Sequence, residues 1–136
     1  MNTYYVNDSN FFNSEVYQKY LMEHPGTGSV RVRAYAAGEA IPISGLKVVV
    51  SKEIGGNNVI FFDGYTNESG VTEKIILPAH KLPKSDEDIP EKEEYKITVT
   101  YVLDNISKEY TINIYDGVCV LQNINVVPKA MLEGDL

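Results

Sequence analysis

Histidine and cysteine are the side chains best suited to bind metal ions or to act as nucleophiles, and this sequence has few of them. There are two histidines, His24 and His80, and a single cysteine, Cys119. His24 stands before Pro25 at the end of a predicted helix, and His80 lies beside a predicted loop. Neither has a metal-ligand spacing, such as two histidines four residues apart on a helix. We therefore expect both histidines to be structural or at the surface, and we predict no catalytic, cofactor-binding or metal-binding residues.

Cys119 falls in a stretch of alternating apolar residues, on the strand face opposite Val118 and Val120. A nucleophilic cysteine needs a nearby base and a lowered pKa. No histidine is close to it in sequence, so we expect a packed or partly exposed thiol. The alternative is a disulfide with another chain, because one cysteine cannot form a bond within the chain.

Acidic side chains are concentrated in residues 84–94, a segment that follows Pro83 and contains Pro90. Carboxylates in this segment could bind Ca²⁺, which takes several oxygen ligands, and turn residues Asp63, Asp104 and Asp116 could join them. The D-x-D-x-D-G pattern of a calcium loop is absent, however. We therefore predict a solvated, charged loop over residues 80–94.

Tyrosine is abundant, with 10 residues, whereas tryptophan is absent. Exposed tyrosines can anchor a protein interface or stack on sugar rings. The candidate interaction surface consists of Tyr17, Tyr20, Tyr35, Tyr65 and Tyr115. Sugar-binding sites usually use tryptophan as well, so we expect a protein partner or self-association, and a cell-wall glycan is the alternative.

The length of 136 residues suits one domain, and the net charge of −7 excludes whole classes of partner. An acidic chain is repelled by nucleic acid and by anionic lipid, so neither is expected as a partner.

No apolar run approaches the length of about 20 residues that is needed to cross a bilayer. The first residues, M-N-T-Y-Y-V-N-D, lack the basic and apolar regions of a secretory signal. We expect a cytoplasmic protein as translated, without membrane insertion.

Only residues 14–23 show a clear helical pattern. Asn13 or Ser14 can cap the helix, and Glu15 is favourable in its first turn. An apolar stripe follows helical spacing and includes Tyr17 and Tyr20. The helix ends at His24, because the residue before a proline avoids the helical conformation. This helix is expected to pack on the domain or on a neighbouring molecule.

Seven further stretches have the alternation or the β-branched composition of strands. They are residues 28–37, 46–53, 59–62, 71–78, 95–103, 109–115 and 118–127, separated by turn residues. Each hides one apolar face, which predicts two packed sheets with Val32, Val48, Val99 and Ile112 in the core. The predicted organisation is an N-terminal extension with a short helix (1–27), a β-sandwich domain (28–128) and a C-terminal tail (129–136).

The order of these strands and turns resembles a known family. The run G-S-V-R-V-R-A-Y-A-A-G-E-A-I-P-I-S-G-L-K-V-V-V, followed by F-D-G-Y-T-N-E-S-G-V and I-I-L-P-A, is similar to the carboxypeptidase regulatory-like domain. That domain has a T-(D/N)-x-x-G turn, which residues 66–70 match. The resemblance implies an all-β, seven-stranded, transthyretin-like (prealbumin-like) Greek-key β-sandwich.

The ending Y-D-G-V-C-V-L-Q-N-I-N-V-V-P looks like the variant found in envelope- or spore-associated proteins of Gram-positive bacteria. The resemblance thus implies a non-catalytic structural or protein-interaction module, with glycan or peptidoglycan binding as the alternative. A purine-breakdown hydrolase also has a transthyretin-like fold, but it ends in Tyr-Arg-Gly-Ser. This chain ends in M-L-E-G-D-L, so we do not expect an enzyme.

Overall fold

The computed structural model describes residues 3–38, 40–85, 88–103 and 105–126, and these residues form nine strands and two helices. In chain order the elements are β1 (Thr3–Tyr5), α1 (Ser9–Phe12), α2 (Glu15–Glu23), β2 (Gly26–Ala36), β3 (Ile41–Pro42), β4 (Lys47–Ile54), β5 (Asn57–Tyr65), β6 (Ile75–Ala79), β7 (Glu93–Tyr101), β8 (Ile106–Ile114) and β9 (Cys119–Asn125). The protein is therefore mostly β, as the alternating stretches predict.

All seven predicted strands are present, but the predicted count of seven is wrong because β1 and β3 are additional. These two strands have only three and two residues. A segment of that length has no alternation to recognise, and it becomes a strand because a neighbour offers hydrogen bonds. The predicted helix is present as α2, and α1 precedes it as a single additional turn.

Two sheets form the body of the protein. The larger has the strand order β1-β5-β4-β7-β8, and the smaller is built on β2, which pairs with β3 and β6 on one side and with β9 on the other. Two of the pairings are parallel, β1 with β5 and β9 with β2. β4 and β5 form a hairpin through Gly55 and Gly56, which both have the positive φ of a two-residue turn.

The inner faces of the two sheets share one hydrophobic core, which we call the sandwich core. Val32 and Val48 are completely buried, and Val99 and Ile112 are 4% exposed, so the predicted core positions are confirmed. The sandwich core comprises Val30, Val32, Ala34, Ala36, Ile43, Leu46, Val48, Val50, Ile75, Leu77, Ala79, Tyr95, Ile97, Val99, Ile112, Ile114 and Ile124.

Residues 66–70 form the turn that the T-N-E-S-G sequence predicts. Hydrogen bonds join this turn to the residues just before β4. The buried Thr66 Oγ1 donates a hydrogen bond to the carbonyl of Ile43 and accepts one from the amide of Leu46. Gly70 has a φ of 77°, and a Cβ there would lie 2.5 Å from the carbonyl oxygen of Ala34. Threonine and glycine are therefore required at the two ends of this turn.

α2 packs on its own domain. Ser14 caps the helix by accepting the amide of Tyr17, and the aromatic side chains behind it form a second, smaller cluster with Ile54 and Val59. β1 pairs with β5, so the described part of residues 1–27 is joined to the sandwich. The predicted tail, residues 129–136, lies outside the described residues. Within the described ranges, neither helix has the length and apolar character needed to cross a membrane.

Candidate functional site

A group of ionisable side chains lies where the C-terminal end of α2 meets the sandwich. We call it the helix-end cluster; it consists of His24, Lys52, His80 and Glu93. His24 is the C-cap residue of α2, Lys52 belongs to β4, His80 directly follows β6, and Glu93 is the first residue of β7. The fold thus brings together four side chains that are far apart in sequence.

Glu93 is the centre of the helix-end cluster. Its Oε2 lies 2.6 Å from His24 Nε2 and 3.0 Å from His80 Nε2, and its Oε1 lies 2.6 Å from Lys52 Nζ. Although burial acts to raise the pKa of Glu93, the ammonium of Lys52 and the imidazole of His24 hold that pKa below its ordinary value. A carboxylate can therefore be buried here because cationic and hydrogen-bonding groups compensate for its lost hydration.

In both imidazole rings an oxygen atom lies near the nitrogen that does not face Glu93. His24 Nδ1 donates a hydrogen bond to the backbone carbonyl of Tyr20, at 2.7 Å. His80 Nδ1 lies 3.6 Å from Glu91 Oε2. The two rings lie against each other, with their centroids 4.4 Å apart. In both rings it is Nε2 that faces the same carboxylate oxygen, Glu93 Oε2.

A pair of buried tyrosines adjoins the helix-end cluster; we call Tyr20 and Tyr95 the tyrosine pair. Tyr95 donates its hydroxyl to the carbonyl of Pro78 at 2.6 Å, so the hydroxyl of Tyr20, 2.8 Å away, must donate to Tyr95. Burial raises the pKa of both phenols well above the ordinary value. The tyrosine pair therefore stays uncharged and connects α2 to β7 and β6 by hydrogen bonds.

The five tyrosines of the predicted interaction surface differ in their exposure to solvent. Tyr17 and Tyr20 are buried, at 3% and 7% exposure, so these two predictions need correction: the helix turns them into its own domain, where they fill the space beneath α2. Tyr35 and Tyr115 are half-buried, and Tyr65 is 58% exposed. Of the five, Tyr65 presents the most surface to a partner.

The prediction for the acidic segment also needs correction at its end. The sequence predicts a solvated loop through Glu94, but β7 begins at Glu93 and the side chain of Glu93 is buried. The sequence carries a signal for this, because the alternation of Tyr95, Ile97 and Val99 extends back by one step to Glu93. Of the other calcium candidates, Asp63 is exposed, Asp116 accepts the amides of Thr27 and Leu82, and Asp104 lies outside the described residues.

His24 and His80 were not expected to meet, and the reason lies in the sheet register. β2 pairs antiparallel with β6, with Gly26 opposite Ala79. Continuing this alignment past the ends of the two strands brings His24 and His80 close together. Such a register is set by packing and cannot be taken from the spacing of two residues in the sequence. Cys119 is exposed at the start of β9 and is not part of the cluster.

The outer strands β8 and β9 differ in the charged residues that they carry. β8 is the last strand of the larger sheet, and it carries the exposed charges Lys108 and Glu109. Among the strands that the structure describes, β9 is the outermost of the smaller sheet beside β2. Its seven residues, C-V-L-Q-N-I-N, include no charge and no proline. Charged residues and prolines are the usual protection of an edge strand. β9 lacks that protection.

The fold defines an all-β protein whose two sheets share one core and in which an ionic cluster lies where the end of α2 meets the sandwich. A comparison of the sequence with protein-family models and with curated proteins found no match to either.

Proposed function

We propose that the protein is a non-catalytic structural or protein-interaction module, and that it acts by pairing β9 with an extended strand of another protein chain. In the simplest case the partner is a second copy of this chain. The observation that carries the proposal is the uncharged, proline-free edge of β9, which stands out in a chain with a net charge of −7. Adding a strand to such an edge is a common mode of protein recognition.

The backbone of β9 shows which groups are available to a partner. Ser29 donates its amide to the carbonyl of Val118, and Val126 donates its amide to the carbonyl of Tyr35, both across the parallel ladder to β2. Because alternate residues of a strand point their amides and carbonyls to opposite sides, Leu121 and Asn123 direct theirs away from β2. These backbone groups are the ones an added strand would use.

Apolar side chains on the outer face of the smaller sheet extend the surface that β9 offers to a partner. Leu121 of β9 is 50% exposed, and Ile76 of β6 is 64% exposed. Arg31 and Arg33 of β2 project from this face between them. A partner strand on β9 would cover part of this apolar surface and gain from its burial.

The family relationship and the cellular setting belong to the same proposal. The resemblance of residues 28–128 to the carboxypeptidase regulatory-like domain supports a transthyretin-like relationship. The resemblance of the ending to envelope- and spore-associated proteins supports a role in one of those structures. A structural role in the envelope or the spore requires an interaction surface and no reaction site, and this agrees with the function proposed for β9.

The test is the mass of the purified chain in solution, measured by sedimentation equilibrium over a wide concentration range in the presence of a reductant. The reductant prevents Cys119 from forming a disulfide that would imitate association. We expect reversible dimers. Asn123→Pro removes one outward-facing amide, and an edge strand tolerates proline at such a position. It should weaken the dimer by at least about tenfold, since each lost hydrogen bond contributes about 1 kcal/mol and two are lost in a symmetric pair.

The matched control is Asn123→Ala, which shortens the same side chain but keeps the backbone amide. It should dimerise nearly as well as the unmodified chain. A strictly monomeric chain at every concentration would contradict self-association through β9. Equal weakening by the alanine and the proline variants would contradict the backbone pairing.

Glycan binding is the second candidate, and the exposure of Tyr65 is the observation that favours it. A single exposed tyrosine is a small platform for a sugar ring, so we rank this function below protein interaction. Retention of the chain on insoluble cell wall, and its loss in Tyr65→Ala, would support it. Absence of retention would exclude it.

A further inference from the structure

We propose that the helix-end cluster is a binding site for one divalent first-row transition-metal ion, with His24, His80 and Glu93 as its protein ligands. One ligand atom from each of these residues lies within 4.8 Å of the other two. Among the described residues, no other set of three histidine, cysteine or acidic side chains is gathered in this way. The site is separate from the β9 edge and does not depend on the function proposed above.

The orientation of His24 is the first reason to place a cation here. A backbone carbonyl only accepts hydrogen bonds, so His24 Nδ1 must carry a hydrogen in its contact with Tyr20. In the neutral ring His24 Nε2 then has a lone pair, and that lone pair faces a carboxylate oxygen at 2.6 Å. Two acceptors at this distance need a positive species between them: a proton on Nε2 fills that role in a His–Glu ion pair, and a metal ion can take the place of that proton.

His80 adds a third electron-pair donor to the same point. Its Nε2 lies 3.0 Å from the same oxygen, Glu93 Oε2, and its Nδ1 faces the carboxylate of Glu91. Metal-bound histidines usually have an acceptor on the second ring nitrogen, because it fixes the tautomer and the ring orientation. The centroids of the two rings are 4.4 Å apart, so both imidazoles are close enough to bind the same ion.

The size of the site fits a metal with short bonds. Ligand atoms of a tetrahedral zinc ion, with bonds of about 2.0–2.1 Å, lie about 3.3 Å from each other. The separation of His80 Nε2 from Glu93 Oε2 is 3.0 Å, and that of His24 Nε2 is 2.6 Å. Both of these pairs have to open by less than about 1 Å to reach the zinc geometry. The ligand nitrogens of the two histidines lie within 4.8 Å of each other.

The donor set selects the class of metal. Two imidazole nitrogens and one carboxylate oxygen suit zinc and the neighbouring transition metals, whereas calcium and magnesium prefer oxygen ligands alone. Lys52 occupies Oε1 of Glu93 and also donates to the carbonyl of Glu94, so the carboxylate is left with Oε2 for a metal. The side chain of His80 is 27% exposed, which provides a route for the ion and a side for a water ligand.

The experiment uses Zn²⁺ alone as the probe and the full chain without an affinity tag, in a Cys119→Ser background that removes the exposed thiol. Because the chain has two histidines and both are proposed ligands, the imidazole signals in a ¹H–¹⁵N spectrum report on the site directly. We expect both rings to shift together and to saturate at one Zn²⁺ per chain. We also expect Zn²⁺ to raise the melting temperature, since a ligand of the folded state stabilises it.

His80→Gln is the informative variant because His80 is partly exposed, so the fold should tolerate the change; circular dichroism checks this. It should weaken Zn²⁺ binding by at least about tenfold, since even the loss of a group beyond the ligands costs that much. Glu94→Gln, a matched loss of the neighbouring carboxylate, should leave the affinity unchanged. Movement of one ring only, binding without saturation, or equal affinity in His80→Gln would overturn the proposal.

Discussion

The sandwich core and the helix-end cluster hold the same domain together by different physics. In the sandwich core the contacts are between apolar side chains, which need only fill space and avoid water. In the helix-end cluster and the adjoining tyrosine pair, each buried polar atom needs a particular partner, because an unpaired buried charge or hydroxyl is costly. The first region should tolerate changes that conserve volume, whereas the second should be sensitive to the loss of a single fully buried polar atom.

Removing volume from the sandwich core should give the largest effect. Ile97 is completely buried on β7, and Ile97→Ala should lower the free energy of unfolding by about 2–5 kcal/mol through lost burial and the remaining cavity. Urea denaturation measures the change. Lys96→Ala, the exposed neighbour on the same strand, is the control and should change stability by less than about 1 kcal/mol. A comparable loss in both variants would contradict the location of the core.

Adding volume where two strands approach closely should come next. A Cβ on Gly28 would lie 2.4 Å from the carbonyl oxygen of Tyr115 and 2.5 Å from Ile114 Cγ2. Because one of these contacts is backbone, Gly28→Ala should destabilise the protein by about 1–3 kcal/mol, measured by urea denaturation. A Cβ on Gly38 would meet no atom within 4 Å, and the φ of Gly38 is positive. Gly38→Asn is therefore a suitable control and should change stability little, because asparagine tolerates this conformation.

The tyrosine pair tests the other side of the comparison, since it allows one atom to be removed with little change in shape. Tyr95→Phe leaves the hydroxyl of Tyr20 and the carbonyl of Pro78 without their shared partner, which should cost about 1–3 kcal/mol in urea denaturation. Tyr20→Phe removes one donor, and the double variant gives the coupling between the two hydroxyls. Tyr65→Phe, at the surface, should change stability very little. Equal effects at Tyr95 and Tyr65 would show that the buried hydroxyls contribute nothing specific.

The smallest effect is expected at an exposed polar contact. The amides of Thr27 and Leu82 hold the pKa of Asp116 below its ordinary value. Because the folded pKa is lower than the unfolded one, this stabilisation is present above about pH 4 and is lost as the pH falls through the folded pKa. Asp116→Asn should therefore lower the melting temperature slightly at neutral pH and not in strong acid. An equal difference at both pH values would contradict the role of the charge.

The same comparison explains how much of the structure could be predicted from the sequence. Alternation placed the buried positions of β2, β4, β7 and β8 correctly, because a strand with one buried face repeats every two residues. Alternation does not predict β1 and β3, because strands of three and two residues are too short to show it. Both depend on hydrogen bonds offered by a neighbouring strand.

The helix-end cluster was missed for a different reason. His24 and His80 meet only because Gly26 is opposite Ala79, and that register results from packing in three dimensions. Glu93 was assigned to the charged loop because it follows a run of acids, although it continues the buried face of β7. Charge in the local sequence was therefore a misleading guide where the fold supplies the compensating partners.

The parallel pairing of β9 with β2 has a consequence for the order in which the chain folds. Ser29 pairs with Cys119, 90 residues further along the chain, so the central strand of the smaller sheet has an early partner in β6 but must wait for its other partner until β9 has been made. Closing so long a loop is entropically expensive and slow in comparison with a hairpin. On the ribosome, β2 would emerge long before β9, and its open side would be exposed throughout that interval.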